Sequence, residues 1–127
     1  MKSRKPSAGD LTTFVGVALV RKSKGRGLET LIVPDLASAR QLGLSKGEMK
    51  VVRAGLKELA GQPAGACTRQ KQNGSIRCIQ GTCTGSCHLF RARIPIDPES
   101  PKIEDLGETD RNWVEMEKGY GYWCDCV

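Results

Sequence analysis

The stretch CTRQKQNGSIRCIQGTCTGSCH, residues 67–88, decides how this chain folds. Asn73-Gly74 is the two-residue turn whose twist suits a pair of antiparallel strands, so 67–72 and 75–80 are predicted to form a hairpin. A two-residue turn also fixes register. With Gln72 facing Ser75, Arg69 falls opposite Cys78 and Gln80 opposite Cys67. Cys67 and Cys78 are then diagonal neighbours, too far apart for an unstrained disulfide. Gly81 and Gly85, set among small Thr and Ser residues, predict a tight loop. From His88 to Ile96 the pattern alternates as a strand.

The six cysteines are Cys67, Cys78, Cys83, Cys87, Cys124 and Cys126, and none lies in residues 1–66. At about one residue in ten over the second half, this is the density of a domain secured by covalent staples or bound metal. Three chemistries fit. As disulfides, Cys124 and Cys126 sit two apart on a predicted strand, share a face and cannot bridge each other. Each must find a partner upstream, and the terminal strand is expected to be bonded onto the Cys78–Cys87 segment. As a metal site, Cys78, Cys83, Cys87 and Cys124 supply four thiolates for zinc or an iron–sulfur cluster, with His88 as an extra ligand. Their spacing only partly matches the close pairs zinc prefers and departs from the two-iron pattern. As redox-active thiols they lack a Cys-x-x-Cys pair at a helix start. The disulfide reading, without a cofactor, is the expectation adopted.

Working outward, Thr12–Arg21 and Leu28–Val33 are β-branched apolar runs joined by a glycine-rich cationic turn, a second predicted hairpin. Residues 1–10 read as a basic arm. Lys2, Arg4 and Lys5 before the run Leu11–Val20 outline a secretory signal, but Arg21-Lys22 follows where small residues belong, so a buried strand is expected. Asp35 is predicted to cap a short helix through Leu42, ended by Gly43. Ser45 and Glu48 form a capping box for a second helix with Met49, Val52, Leu56 and Leu59 on one face. Gly61 and Pro63 end it. Pro95, Pro98 and Pro101 predict an acidic loop running to about Asn112. Trp113–Met116 and Gly119–Val127 are predicted as a closing hairpin, with Trp113 and Trp123 as candidates for a ligand face and Tyr120, Tyr122, Cys124 and Cys126 on the other side.

The fold expected is α+β: an N-terminal β-hairpin and helix pair over 1–62, then a small Cys-rich antiparallel β domain over 67–127. No stretch approaches the length of a membrane span. Residues 1–66 carry 12 Lys/Arg against 5 Asp/Glu, and residues 94–127 carry 3 against 9, an asymmetry that fits a polyanion or protein partner on the basic part. Residues 36–59 resemble a helix-turn-helix, in which Lys46, Lys50, Arg53 and Lys57 would face a nucleic acid. Nothing in the sequence assembles a catalytic constellation: His88 is the single histidine, and the late carboxylates read as solvated charge. The expectation is a non-enzymatic, cysteine-stapled binding or structural module, secreted or at the cell surface if its cysteines are oxidised. The alternative is a cytoplasmic helix-turn-helix-like regulator whose cysteines hold metal or sense redox state.

Overall fold

A computed structural model describes residues 11–22, 27–63 and 65–127; the basic arm expected over 1–10 and most of the cationic turn, 23–26, lie outside the described residues. The elements are β1 (Thr12–Phe14), β2 (Val17–Lys22), β3 (Leu28–Val33), α1 (Leu36–Gln41), α2 (Lys46–Leu59), β4 (Cys67–Gln72), β5 (Ser75–Gln80), β6 (Cys87–Arg93), β7 (Ile103–Glu108), β8 (Val114–Glu115) and β9 (Tyr120–Cys126). They form an antiparallel five-stranded sheet ordered β3-β2-β9-β6-β7 and a four-stranded sheet ordered β1-β4-β5-β8. The α+β class holds.

Alternation along the central strands builds two cores from the larger sheet. Val17 and Leu19 of β2, Trp123 of β9 and Ala92 of β6 are buried with Ala39, Val51 and Val52 of the helices. Ala18, Val20, Leu89, Tyr122, Cys87 and Cys124 point the other way, onto Phe14, Cys67, Ile76 and Cys78 of the smaller sheet and Met116, just beyond β8. The order of layers is helices, large sheet, small sheet.

The Asn73-Gly74 hairpin has the expected register, Arg69 opposite Cys78 and Cys67 opposite Gln80. Asn73 takes φ 55°, as the tight turn requires. Asp35 caps α1 by accepting from Ser38 N at 2.8 Å, and Ser45 and Glu48 complete their capping box on α2. The face buried by α2 differs from the one expected. Gly47, Val51, Val52 and Gly55 form its deepest line, while Met49, Leu56 and Leu59 pack at the margin. Glycine lets the helix sit close: a β-carbon at Gly55 would stand 2.6 Å from Val17 Cγ2 and 3.0 Å from the Trp123 ring.

Four expectations are corrected. Thr12–Arg21 is not one strand: it breaks at Val15-Gly16, where Gly16 takes φ 88° and the chain crosses from the small sheet to the large one. The acidic loop contains a strand, β7, paired with β6; its polar faces suit a sheet edge and hid it from pattern reading. Trp113–Met116 does not pair with the C-terminal strand, because β8 joins β5 while β9 inserts between β2 and β6. Finally, the boundary near residues 62–67 separates a segment without cysteine from one with six, but it does not separate sheets: β1 pairs with β4, and β2 with β9.

Candidate functional site

All six cysteines are paired: Cys67–Cys87, Cys78–Cys124 and Cys83–Cys126. The first two connect strands of different sheets, so they cross the core between the layers, and the third ties the β5–β6 loop to the end of β9. As expected, both terminal cysteines are bonded into the Cys78–Cys87 segment.

The loop carrying Cys83 is organised by more than sulfur. The Gln80 side chain donates to Cys83 O at 2.8 Å and Gly85 O at 3.0 Å, and accepts from Cys87 N at 3.1 Å. Ala66 O accepts from Gly81 N at 3.0 Å and Cys83 N at 3.1 Å, while Ser86 and Val127 exchange two backbone hydrogen bonds. The Sγ atoms of Cys67, Cys83 and Cys87 thereby lie within 4.8 Å of one another. The thiolate set expected from spacing was Cys78, Cys83, Cys87 and Cys124. The fold gathers a different one, because Cys78 and Cys124 bond to each other in the core. His88 is not beside the sulfurs either. It points to the opposite face of β6 from Cys87, and its Nδ1 lies 2.9 Å from Asp105 Oδ1. A hydrogen bond from Gly107 N, then the imidazole, hold that carboxyl below its ordinary range.

The paired-tryptophan face does not form. Trp123 is 0% exposed and stacks on Phe90 at 6.4 Å between centroids. Trp113 lies by the other sheet, with the Arg77 guanidinium 4.4 Å from its ring centroid. The residue count between the two tryptophans predicted proximity only through a hairpin that is absent.

The candidate nucleic-acid residues lie along α2. Lys46, Arg53 and Lys57 are exposed. Lys50 is engaged, donating to Glu99 O at 2.8 Å and lying 3.4 Å from Asp97 Oδ1. Helices α1 and α2 meet around Gly43, at φ 66°, as in the expected helix pair.

A further site was not read from the sequence. Where the chain crosses between sheets, Val15, Leu56, Leu59 and Pro63 line a groove of about 330 Å³ together with Gln62 and Arg69. Arg69 donates to Cys67 O at 3.3 Å and Cys124 O at 3.2 Å. Its Nε and the Gln62 amide nitrogen are buried with no partner. Behind Arg69, Asp125 is 8% exposed. Burial, then the neighbouring Glu58 carboxylate, push its pKa up, and burial pushes Arg69 down despite its attraction to Asp125. For both groups desolvation outweighs the mutual attraction. The available signal was alternation: an acid between Cys124 and Cys126 must face the helices.

Comparison of the chain with protein-family models, curated proteins and solved structures finds no match.

Proposed function

We propose that this chain is a non-enzymatic, disulfide-stapled binding module working in an oxidising compartment, secreted or at the cell surface. The reading rests on one observation: every cysteine is bonded, and two of the three bonds join the small sheet to the large one. A domain with few aromatic residues gains from such staples what a larger core would otherwise supply. The recognition surface is the groove beside Arg69. Apolar walls beside the positively charged Arg69 suit a ligand that carries a hydrophobic group and a carboxylate.

Alkylation of the natively isolated protein, followed by intact-mass measurement, tests the compartment. No label before reduction and six after full reduction and unfolding is the expected result; six labelled thiols in the native protein would overturn it. Amide chemical shifts recorded during titration with short hydrophobic peptides test the groove. Peptides with a free C-terminal carboxylate are expected to shift residues 56–69 more than their amidated counterparts.

A second reading, a helix-turn-helix-like nucleic-acid binder, draws on the α1–α2 pair and the exposed Lys46, Arg53 and Lys57. It requires duplex binding that weakens steeply with salt and that falls when these three are replaced.

A further inference from the structure

We infer that the two neighbouring disulfides, Cys67–Cys87 and Cys83–Cys126, form a reducible four-sulfur site that binds one zinc ion once reduced, while Cys78–Cys124 stays oxidised. The Sγ atoms of Cys67 and Cys87, bonded to each other, lie together with that of Cys83 within 4.8 Å. Tetrahedral zinc with bonds near 2.3 Å needs thiolates about 3.8 Å apart, a change that side-chain rotation can make. Cys126 supplies the fourth. It is bonded to Cys83 and stands directly across the β6–β9 ladder from Cys87.

The second support is that contacts other than the S–S bonds also hold these positions. Cys87 and Cys126 are fixed by ladder register. Cys83 is fixed by its N–H to Ala66 O and its carbonyl to Gln80. Cys67 follows Ala66, whose carbonyl anchors the loop. These groups hold the sulfurs near their places when the disulfides open, and preplaced ligands are what a metal site requires.

Exposure sets the order of reduction. Cys83 and Cys126 are partly exposed, whereas Cys67 and Cys87 are buried and Cys78 and Cys124 are both 0% exposed. A dithiol attacks the Cys83–Cys126 bond; its second thiol closes the reductant's own disulfide and leaves two thiols on the protein. The Cys83 thiolate then lies next to the Cys67–Cys87 bond. Attack on Cys87 Sγ forms Cys83–Cys87 and expels the Cys67 thiolate, moving the remaining disulfide into the loop. A second dithiol reduces it there. Two electrons enter per dithiol, four thiols result, and zinc binding releases their protons.

Alkylation mapping and a cobalt titration test this. After limited treatment with dithiothreitol and its anaerobic removal, the full chain is expected to take four labels, at Cys67, Cys83, Cys87 and Cys126. One equivalent of zinc should protect all four. Cobalt should give one tetrahedral thiolate spectrum per chain, displaced by zinc and lost in the Cys67→Ser variant. If reduction by itself unfolds the chain, adding zinc is expected to restore the native amide spectrum. Labels at Cys78 and Cys124 in the first reduction step, failure of zinc to protect, or an unfolded chain that zinc does not restore would each overturn the inference. The native-state thiol census bears on the compartment, whereas this test concerns the reduced protein, so either can fail without the other.

Discussion

Cys87 and Cys126 are direct cross-strand partners on β6 and β9, yet they are not bonded to each other. Both side chains leave the large sheet on the same face, and each takes a partner outside it: Cys67 in the small sheet and Cys83 in the loop. The consequence is that two of the three staples fasten one layer to another and the third fastens a loop to the last strand, rather than any joining one strand to its neighbour. Sheet pairing is already secured by the ladder, so two of the covalent bonds act between layers, where apolar contact and the Arg69 hydrogen bonds otherwise hold the packing.

Loop-closure entropy then ranks the three bonds. Cys78–Cys124 and Cys83–Cys126 span 46 and 43 residues, and Cys67–Cys87 spans 20. Double Cys→Ala replacement is expected to cost about 4 kcal/mol for each long span and about 3 kcal/mol for the short one. Cys78 and Cys124 should exceed the others, because removing buried sulfur also leaves a void. Urea unfolding of the three double variants, each with its remaining pairs oxidised, measures the order.

Gly55→Ala is expected to destabilise the protein although alanine is the better helix former. Propensity favours the change by about 1 kcal/mol. Against it, the new methyl meets Val17 Cγ2 at 2.6 Å and two Trp123 ring atoms at 3.0 and 3.1 Å, and overpacking of this kind costs about 1–3 kcal/mol. Both obstacles sit on central strands that cannot retreat. A Gly61→Ala control, where nothing lies within 4 Å of the added carbon, should be close to neutral. Thermal unfolding of the two variants separates the effects.

The parts of this fold set by neighbouring residues were legible in the sequence. The Asn73-Gly74 turn fixed a register that needs no tertiary information, and Ser45 and Glu48 satisfy each other's amides across one turn of helix. Elimination of a Cys124–Cys126 bond needed only strand alternation. Legibility stopped where distant segments compete for the same edge. Nothing in Tyr120–Cys126 states that β2 will take one side and β6 the other, and the two-residue β8 carries too few residues to specify its partner. The groove at Arg69 depends on that same strand order, so it could not be placed beforehand. Gly55, a weak helix residue by propensity, is a position where the helix comes close to Val17 and Trp123 of the sheet.

Asp125 should make stability fall as pH rises. Its folded pKa lies above the ordinary 3.8 because burial, then Glu58, disfavour the charged form. The folded chain therefore keeps a proton that the unfolded chain releases. The contribution of Asp125 is greatest below 3.8, declines as pH climbs through the folded value, and stays reduced beyond it. Asp125→Asn has no such titration. The variant is expected to gain on the wild type between acid and neutral pH, with the difference narrowing as pH falls. Chemical denaturation of both proteins at several pH values checks the sign.

Arg69 offers the sharpest separation of charge from geometry. Its two terminal nitrogens donate to Cys67 O and Cys124 O, so one planar group joins β4 to the stretch of β9 beyond its last pairing with β2, at Tyr122. Arg69→Met retains much of the apolar stem but leaves both carbonyls without this donor, at an expected cost of about 2–4 kcal/mol. Arg69→Lys keeps the positive charge near Asp125 but replaces the fork with a single compact ammonium that cannot serve two separated carbonyls equally. If the residue acts by neutralising Asp125, lysine should recover most of the stability; if it acts by bridging two strands, lysine should recover little. The hydrogen-bond geometry favours the second outcome. Amide exchange should then report it locally, with faster exchange at Cys124, Asp125 and Cys126 in both variants and unchanged protection at Leu19 and Val20, which are covered by the helices and the small sheet.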